Sequence, residues 1–232
     1  MSHLLYTFQF FIATKGAAPL SRKISIQGKC ILRVMDVQFC DHMSIKIDFN
    51  IKRQLILKLK SILEYGHLDQ RSTLTSSSPP DDQQSEYLIT VKLPVSSSFY
   101  LLVTIIDAVP LTVFINKSNH SEMYSVKFRF DKEIYQKDTL FEGDLYLNNR
   151  NTWSFYISDI SARTMDFGER LLLINSIIKT KYTWDIMMNV CHLEIKPFFL
   201  KEQLDKKSSV KILGYIWCPL NTTRPKLIHL IN

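Results

Sequence analysis

The stretch Thr139-Leu140-Phe141-Glu142-Gly143-Asp144-Leu145-Tyr146 is typical of a strand that carries two acidic side chains two residues apart. Because successive side chains of a strand point to opposite faces, Glu142 and Asp144 are expected on the same face. Two converging carboxylates can hold Mg²⁺ or act as acid and base. They can also be two exposed strand residues beside a turn glycine. The stretch therefore predicts a strand, and a metal site only if the surrounding sequence supports one.

Strand-like segments lie on both sides of this stretch. A helix is predicted at about 167–180 and a shorter one near 199–205. Many strands with late helices beside them predict an α+β fold, an antiparallel-sheet-rich domain with a few flanking helices. The predicted strands cover residues 86–93, 98–106, 110–116, 123–130, 139–147, 153–159, 190–196 and 209–217.

The chain is predicted to divide at residue 85. Residues 1–85 are expected to form an N-terminal extension or subdomain, and residues 86–232 the main domain. Alternating apolar residues within 22–49 favour short strands. Residues 69–86 are polar and rich in turn-forming residues, which predicts a mobile loop before the main domain.

One amphipathic helix is predicted in the N-terminal part, from about residue 51 to 65. Asn50 is a suitable N-cap and Gly66 a suitable stop. Its apolar stripe consists of Ile51, Leu55, Leu59, Ile62 and Leu63.

Lysine and arginine exceed aspartate and glutamate by 29 to 22, which gives a net charge of +7. An excess of this size is compatible with nucleic acid or an acidic protein as a partner, and also with an ordinary solvated surface. The candidate nucleic-acid-binding residues are Lys52, Arg53, Lys58 and Lys60 on the predicted helix, and Lys127 and Arg129 further on.

Glycine is scarce, with six residues in 232. No two of them are close enough for a dinucleotide-binding turn or a P-loop phosphate cradle. These two kinds of nucleotide site are therefore excluded.

Four separated cysteines, Cys30, Cys40, Cys191 and Cys218, argue against a zinc site and predict buried free thiols in a reducing compartment. The apolar start, Leu4 to Ile12, lacks a basic flank and is too short to span a membrane, so we expect a strand there. Together these features predict a protein of the cytoplasm, the nucleus or a virion, with no membrane partner.

Five short motifs occur in an order that resembles one superfamily. The motifs are Pro94-Val95-Ser96, the stretch 139–146, the strand 155–160 with Glu169-Arg170 after it, Lys196-Pro197-Phe198 and Leu213-Gly214-Tyr215-Ile216-Trp217-Cys218-Pro219. Over about residues 90–232 the chain resembles the nucleotidyltransferase domain of mRNA capping guanylyltransferases, relatives of ATP-dependent DNA ligases. The resemblance implies that fold and, in an active member, a lysine nucleophile that attacks the α-phosphorus of GTP or ATP with Mg²⁺ bound nearby.

The residues that depart from the family pattern are those that carry out the family's chemistry. The family's Lys-x-Asp-Gly corresponds to Ile105-Ile106-Asp107-Ala108, so the nucleophile is replaced by Ile105 and the glycine by Ala108. The base-stacking phenylalanine corresponds to Ser158 and a later acidic residue to Leu213. The two phosphate-binding lysines of the terminal strand are missing from residues 227–231. Losing nucleophile, cations and stacking ring together predicts a degenerate site without catalysis or a cofactor.

These observations lead to one main expectation and two alternatives. The main expectation is a guanylyltransferase-like pseudoenzyme that serves as a structural or binding subunit of a viral or plasmid-type transcription, mRNA-capping or virion complex. The first alternative is a divergent active enzyme with Lys117 or Lys92 as nucleophile and Glu142 and Asp144 as Mg²⁺ ligands. The second is a basic RNA- or DNA-binding module that uses the residues named above.

Overall fold

The computed structural model describes residues 37–44, 47–65, 73–76, 87–94, 97–162, 164–200, 212–220 and 226–230, all within one unit of residues 31–232. The helices of these ranges are α1 (Phe49–Tyr65), α2 (Lys132–Gln136) and α3 (Phe167–Thr180). The strands are β1 (Val37–Phe39), β2 (His42–Ser44), β3 (Thr73–Ser76), β4 (Tyr87–Lys92), β5 (Ser97–Ile106), β6 (Val109–Asn116), β7 (Met123–Val126), β8 (Arg129–Phe130), β9 (Thr139–Leu147), β10 (Trp153–Ile160), β11 (Tyr182–Thr183), β12 (His192–Ile195), β13 (Phe198–Phe199), β14 (Gly214–Pro219) and β15 (Lys226–Leu230).

The largest sheet has six strands in the order β12-β10-β9-β5-β6-β7. Its pairs are antiparallel except that β12 runs parallel to β10. The middle of β5 is apolar at every position, and Leu101, Leu102 and Val103 are fully buried. Such a continuous apolar run is typical of a strand covered on both faces.

A helix covers each face of this sheet. On one face, Ile174 and Ile177 of α3 pack into a cluster with the aromatic rings of the sheet. On the other face, Leu55 and Leu59 of α1 pack against Leu102 and other apolar residues of β5, β6 and β9. The strands are thus held between two helices by apolar burial.

A second sheet has five strands in the order β13-β4-β14-β15-β3, with β3 parallel to β15. It meets the first sheet where Val91 and Leu93 pack against Tyr146 of β9. The chain passes from the first sheet to the second through Lys196 and Pro197, which lie between β12 and β13. The carboxylates of β9 therefore lie near the junction of the two sheets.

The mixed α+β class and the antiparallel sheets are as predicted from the sequence. Helix α3 has the predicted bounds, and a capping box between Asp166 and Glu169 fixes its start. The predicted strand at 139–147 is also confirmed as β9.

Other boundaries differ from the predictions. Helix α1 begins at Phe49, two residues before the predicted start, and the side chain of Asp48 rather than Asn50 accepts a hydrogen bond from the first turn, 2.8 Å from the Asn50 amide. Residues 73–76, expected within a mobile loop, form β3 because they pair with β15. The predicted strand at 123–130 is two strands, and residue 199, expected in a helix, lies in β13.

Several predictions lie outside the described residues. They concern the strand at 4–12, the short strands before residue 37, the stop at Gly66, most of the loop at 69–86 and most of the helix near 199–205. The division of the chain at residue 85 stays a prediction.

Candidate functional site

The two carboxylates of β9 lie on the face of the six-stranded sheet that α1 covers in part. Glu142 is opposite Tyr100 of β5, and Asp144 is opposite Ser98. Leu140, on the same face of β9, packs with α1, whereas Tyr146 packs with the second sheet. Glu142 and Asp144 therefore occupy the interval between α1 and the second sheet. We call Ser98, Lys117, Glu142, Asp144 and Lys196 the polar strip.

Asp144 is held by two donors. The ammonium Nζ of Lys196 lies 2.6 Å from its Oδ2, and the Ser98 hydroxyl donates to its Oδ1 at 2.8 Å. The Lys196 side chain is 3% exposed and that of Asp144 19%. Burial acts to raise the pKa of Asp144. The charge of Lys196, the hydrogen bonds from Lys196 and Ser98, and the charge of Lys92 outweigh it, so the pKa is lowered and the carboxylate stays ionised.

Glu142 is held by Lys117, which follows the end of β6. The Lys117 ammonium donates to Glu142 Oε1 and also lies 5.3 Å from the centre of the Tyr100 ring. Burial and the charge of Glu142 raise the pKa of Tyr100 to about 12, so its phenol stays protonated. The backbone carbonyl of Glu142 accepts a hydrogen bond from the Ser158 hydroxyl at 3.2 Å.

Each carboxylate of the polar strip is thus neutralised by its own lysine. A divalent cation bound by both carboxylates would have to displace two ammonium groups, one of them buried. Within the described ranges, no three His, Cys, Asp or Glu side chains are grouped so as to hold a metal ion. As arranged, the polar strip does not fit a Mg²⁺ site.

The tetrapeptide matched to the family's nucleophile lies elsewhere. Ile105 pairs with Pro110 near the β5–β6 hairpin, and Asp107 and Ala108 form its exposed two-residue turn with φ values of 49° and 65°. Tyr100, opposite Glu142, is five residues further back along β5, or about 17 Å at 3.4 Å per residue. The structure does not bring Ile105 and the carboxylates together, whereas it does bring Lys117 to Glu142.

Leu213, matched to an acidic residue of the family, contributes to the pairing of strands in the second sheet. Its backbone N–H donates to the Lys92 carbonyl at 2.7 Å, and its side chain is 41% exposed. The neighbouring Gly214 lies so close to β15 that a Cβ there would be 2.1 Å from the His229 carbonyl oxygen. This end of β14 therefore serves the pairing of the second sheet.

The basic residues named from the sequence belong to two separate elements. On α1, Arg53 and Lys60 are exposed, Lys52 is half-buried, and Lys58 is bound to Asp138 at 2.6 Å and to Thr104 at 3.0 Å. Lys127 and Arg129 are exposed on either side of the buried Phe128. Five of the six thus offer exposed or half-exposed charge on α1 or at the β7–β8 junction, and Lys58 is engaged by Asp138.

Lys196 has a role that was not expected from the sequence. Its motif, Lys196-Pro197-Phe198, was noted for the resemblance, but its pairing with a carboxylate 52 residues away was not predicted. The buried pair Asp159–Arg170, with contacts of 2.7 and 3.1 Å, was also missed. It joins β10 to α3, which explains why an aspartate ending one strand and an arginine early in the next helix occur together.

The apolar turn after β11 was also not predicted from the sequence. Trp184, Ile186, Met187 and Met188 are 39%, 77%, 88% and 44% exposed. The Asn189 side chain holds the turn, accepting from the Asp185 amide at 2.8 Å and donating to the Tyr182 hydroxyl at 2.8 Å. The sequence shows four apolar residues within the five positions 184–188, but it does not show that they are exposed to solvent.

Comparison with known proteins adds no family: no family model matches the chain, and no curated protein matches it. Among the described residues, no helix is both long and apolar enough to cross a membrane.

Proposed function

We propose that the protein is a guanylyltransferase-like protein without catalytic activity that serves as a structural or binding subunit of a viral or plasmid-type transcription, mRNA-capping or virion complex. The observation that carries the proposal is the pairing of both strand carboxylates with lysines, Glu142 with Lys117 and Asp144 with Lys196. Side chains that satisfy each other in this way stabilise the fold and leave little free charge for a metal-bound nucleotide.

Nucleotidyl transfer needs a nucleophile and a metal site at the same phosphate. Ile105 has no nucleophilic atom and lies about 17 Å along β5 from the position opposite Glu142. Even a lysine at position 105 would therefore not serve these carboxylates. This geometry supports the absence of nucleotidyl transfer by a residue at position 105.

The apolar turn 184–188 supports a binding role. Solvent-exposed apolar side chains on a turn fixed by hydrogen bonds are typical of protein interfaces, where Trp and Met are enriched. The order of the turn means that little conformational entropy is lost on binding. The partners that fit the proposal are other protein subunits of the same complex.

A second candidate function is favoured by one contact. The Lys117 ammonium lies against Glu142 and beside Tyr100, which is the placement required of a lysine that attacks a nucleotide held by the carboxylates. In this alternative Lys117 would be released from Glu142 when Mg²⁺ and GTP or ATP bind. Its amine, after losing a proton to solvent, would attack the α-phosphorus and displace pyrophosphate, which gives the covalent phosphoramidate.

One assay separates the two functions. The purified chain is incubated with α-labelled GTP or ATP and Mg²⁺ or Mn²⁺, denatured, and examined for label bound to protein, with an active guanylyltransferase as positive control. We expect no label on the wild type, on Ile105→Lys or on Lys117→Met. A labelled wild type would overturn the proposal, and loss of that label in Lys117→Met but not in Lys92→Met would establish the second candidate.

A further inference from the structure

The β1–β2 hairpin is attached to the six-stranded sheet through its turn and through one aromatic ring. Phe39 stacks on Tyr124 with ring centres 4.3 Å apart and also contacts Phe99 and Phe114. The two turn residues, Cys40 and Asp41, have φ values of 52° and 61°, as a tight two-residue hairpin turn requires. This turn points Cys40 into the apolar cluster beneath α3, where its exposure is 6%.

A second thiol meets Cys40 there. Cys191, 3% exposed and next to the start of β12, lies in the same buried cluster as Cys40. The Cys40 thiol is among the groups that raise the pKa of Cys191. A second observation, independent of the thiols, also brings the hairpin turn and the start of β12 together. The indole N–H of Trp153 donates to Asp41 at 2.7 Å, and the next residue of β10, Ser154, pairs in parallel with His192. Residues 153 and 191, which directly precede Ser154 and His192, are therefore neighbours beside the hairpin turn.

We propose that Cys40 and Cys191 form a disulfide site, at which oxidation joins the β1–β2 hairpin covalently to the start of β12. With hydrogen peroxide as oxidant, the thiolate of Cys40 attacks one peroxide oxygen, forming a sulfenic acid and, with a proton, water. The sulfur of Cys191 then attacks the Cys40 sulfur, the S–S bond forms, and the sulfenic oxygen leaves with two protons as a second water. Two thiols and one peroxide thus give one disulfide and two waters.

The environment explains the order of attack. Burial, and in addition the neighbouring Cys40 thiol, raise the pKa of the Cys191 thiol well above its usual range, so Cys191 is a poor first nucleophile. Cys40 sits at the tip of a hairpin whose two strands have three residues each, and local opening of so short an element exposes it without unfolding the sheet. Cys191 then acts as the resolving thiol when the hairpin closes.

Cys218 provides the internal comparison, because it is equally buried but lies on β14 of the other sheet. Wild-type chain and a Cys30→Ser/Cys218→Ser variant, which retains only the proposed pair, are treated with hydrogen peroxide. They are then denatured, alkylated and digested for mass spectrometry. We expect loss of two alkylatable thiols and an intramolecular peptide linking residues 40 and 191. The same chain carrying Cys40→Ser or Cys191→Ser should give no such link.

Closing a loop of this length should raise the midpoint of thermal unfolding of the oxidised chain by roughly 5–15 °C, and dithiothreitol should reverse the rise. The proposal is overturned if both thiols remain alkylatable after treatment that oxidises the denatured chain. It is equally overturned if they over-oxidise singly or link different molecules. The peptide map of wild type decides the matter even if a serine variant fails to fold.

Discussion

Lys196 reaches Asp144 from the segment that joins the two sheets, and the two side chains meet at 2.6 Å with the lysine 3% exposed. The Ser98 hydroxyl binds the other carboxylate oxygen. A buried ammonium group without a partner is costly, so each of these side chains requires the other. The pair thereby fixes the place where β9 of the first sheet meets the chain leading to the second.

Breaking the pair on one side should destabilise the protein. In Asp144→Asn the Lys196 ammonium stays buried without its counter-charge, and we expect a loss of about 3–5 kcal/mol in the free energy of unfolding. In the double variant Asp144→Asn/Lys196→Met no charge is buried, and the loss should be smaller than in Asp144→Asn or Lys196→Met alone. Urea unfolding of the four proteins measures the coupling.

The exposed pair between Lys181 and Glu133 at 3.0 Å is the matched control, because surface ion pairs contribute little to stability. Lys181→Met should leave the urea midpoint nearly unchanged. Additive losses in the Asp144/Lys196 double variant would show that the two side chains do not depend on each other.

Asp144 should also make stability depend on pH. Its pKa in the folded protein lies below the ordinary value of 3.8, because Lys196 and Ser98 outweigh the effect of burial. The ionised carboxylate therefore stabilises the folded state at pH values above the unfolded-state pKa, and this contribution is lost as the pH falls through the folded-state pKa. The stability difference between wild type and Asp144→Asn should shrink between about pH 5 and pH 2. A difference independent of pH would contradict the assignment.

Gly143 should not tolerate a side chain. A Cβ at this position would lie 2.4 Å from the Tyr156 carbonyl oxygen and 2.8 Å from the Phe155 ring. Gly143→Ala should therefore lower the free energy of unfolding by about 1–3 kcal/mol. Gly168→Ala is the control, since a Cβ in the first turn of α3 meets only the Asp166 carboxylate at 3.4 Å and alanine favours helices. A greater loss in Gly168→Ala than in Gly143→Ala would contradict this packing.

Asn189 should contribute more to the stability of the apolar turn than the exposed apolar side chains of that turn do. Asn189→Ala removes two hydrogen bonds from a side chain in a buried residue, and we expect it to lose about 1–3 kcal/mol. Ile186→Ser, at a side chain 77% exposed, should change the free energy of unfolding by less than about 0.5 kcal/mol. Chemical denaturation of both variants provides the comparison. Equal losses would mean that Ile186 is buried in solution.

Local patterns in the sequence were sufficient to predict β9 and α3. Alternation predicted β9, and the apolar spacing predicted α3 at its observed bounds. The faces of α3 do not follow hydrophobicity alone, because Leu172 is 71% exposed, whereas Arg170 is buried by its pairing with Asp159. A helix pattern does not reveal a charge whose partner lies on another strand.

The arrangement of the polar strip depends on long-range pairing, which the sequence does not encode locally. Asp144 and Ser98 are 46 residues apart, and Asp144 and Lys196 are 52 apart. The same limit explains β3, whose pairing with β15 turns a polar segment into a strand.

Calorimetric titration of GTP or ATP with Mg²⁺ into the wild-type chain examines the central proposal itself. We predict no saturable heat, because Lys117 and Lys196 already neutralise the two carboxylates. The same titration of a Glu142→Gln/Asp144→Asn variant, checked by circular dichroism for its fold, serves as reference. Saturable binding of one nucleotide per wild-type chain that is lost in this variant would contradict the claim that the two ion pairs leave no site for a metal-bound nucleotide.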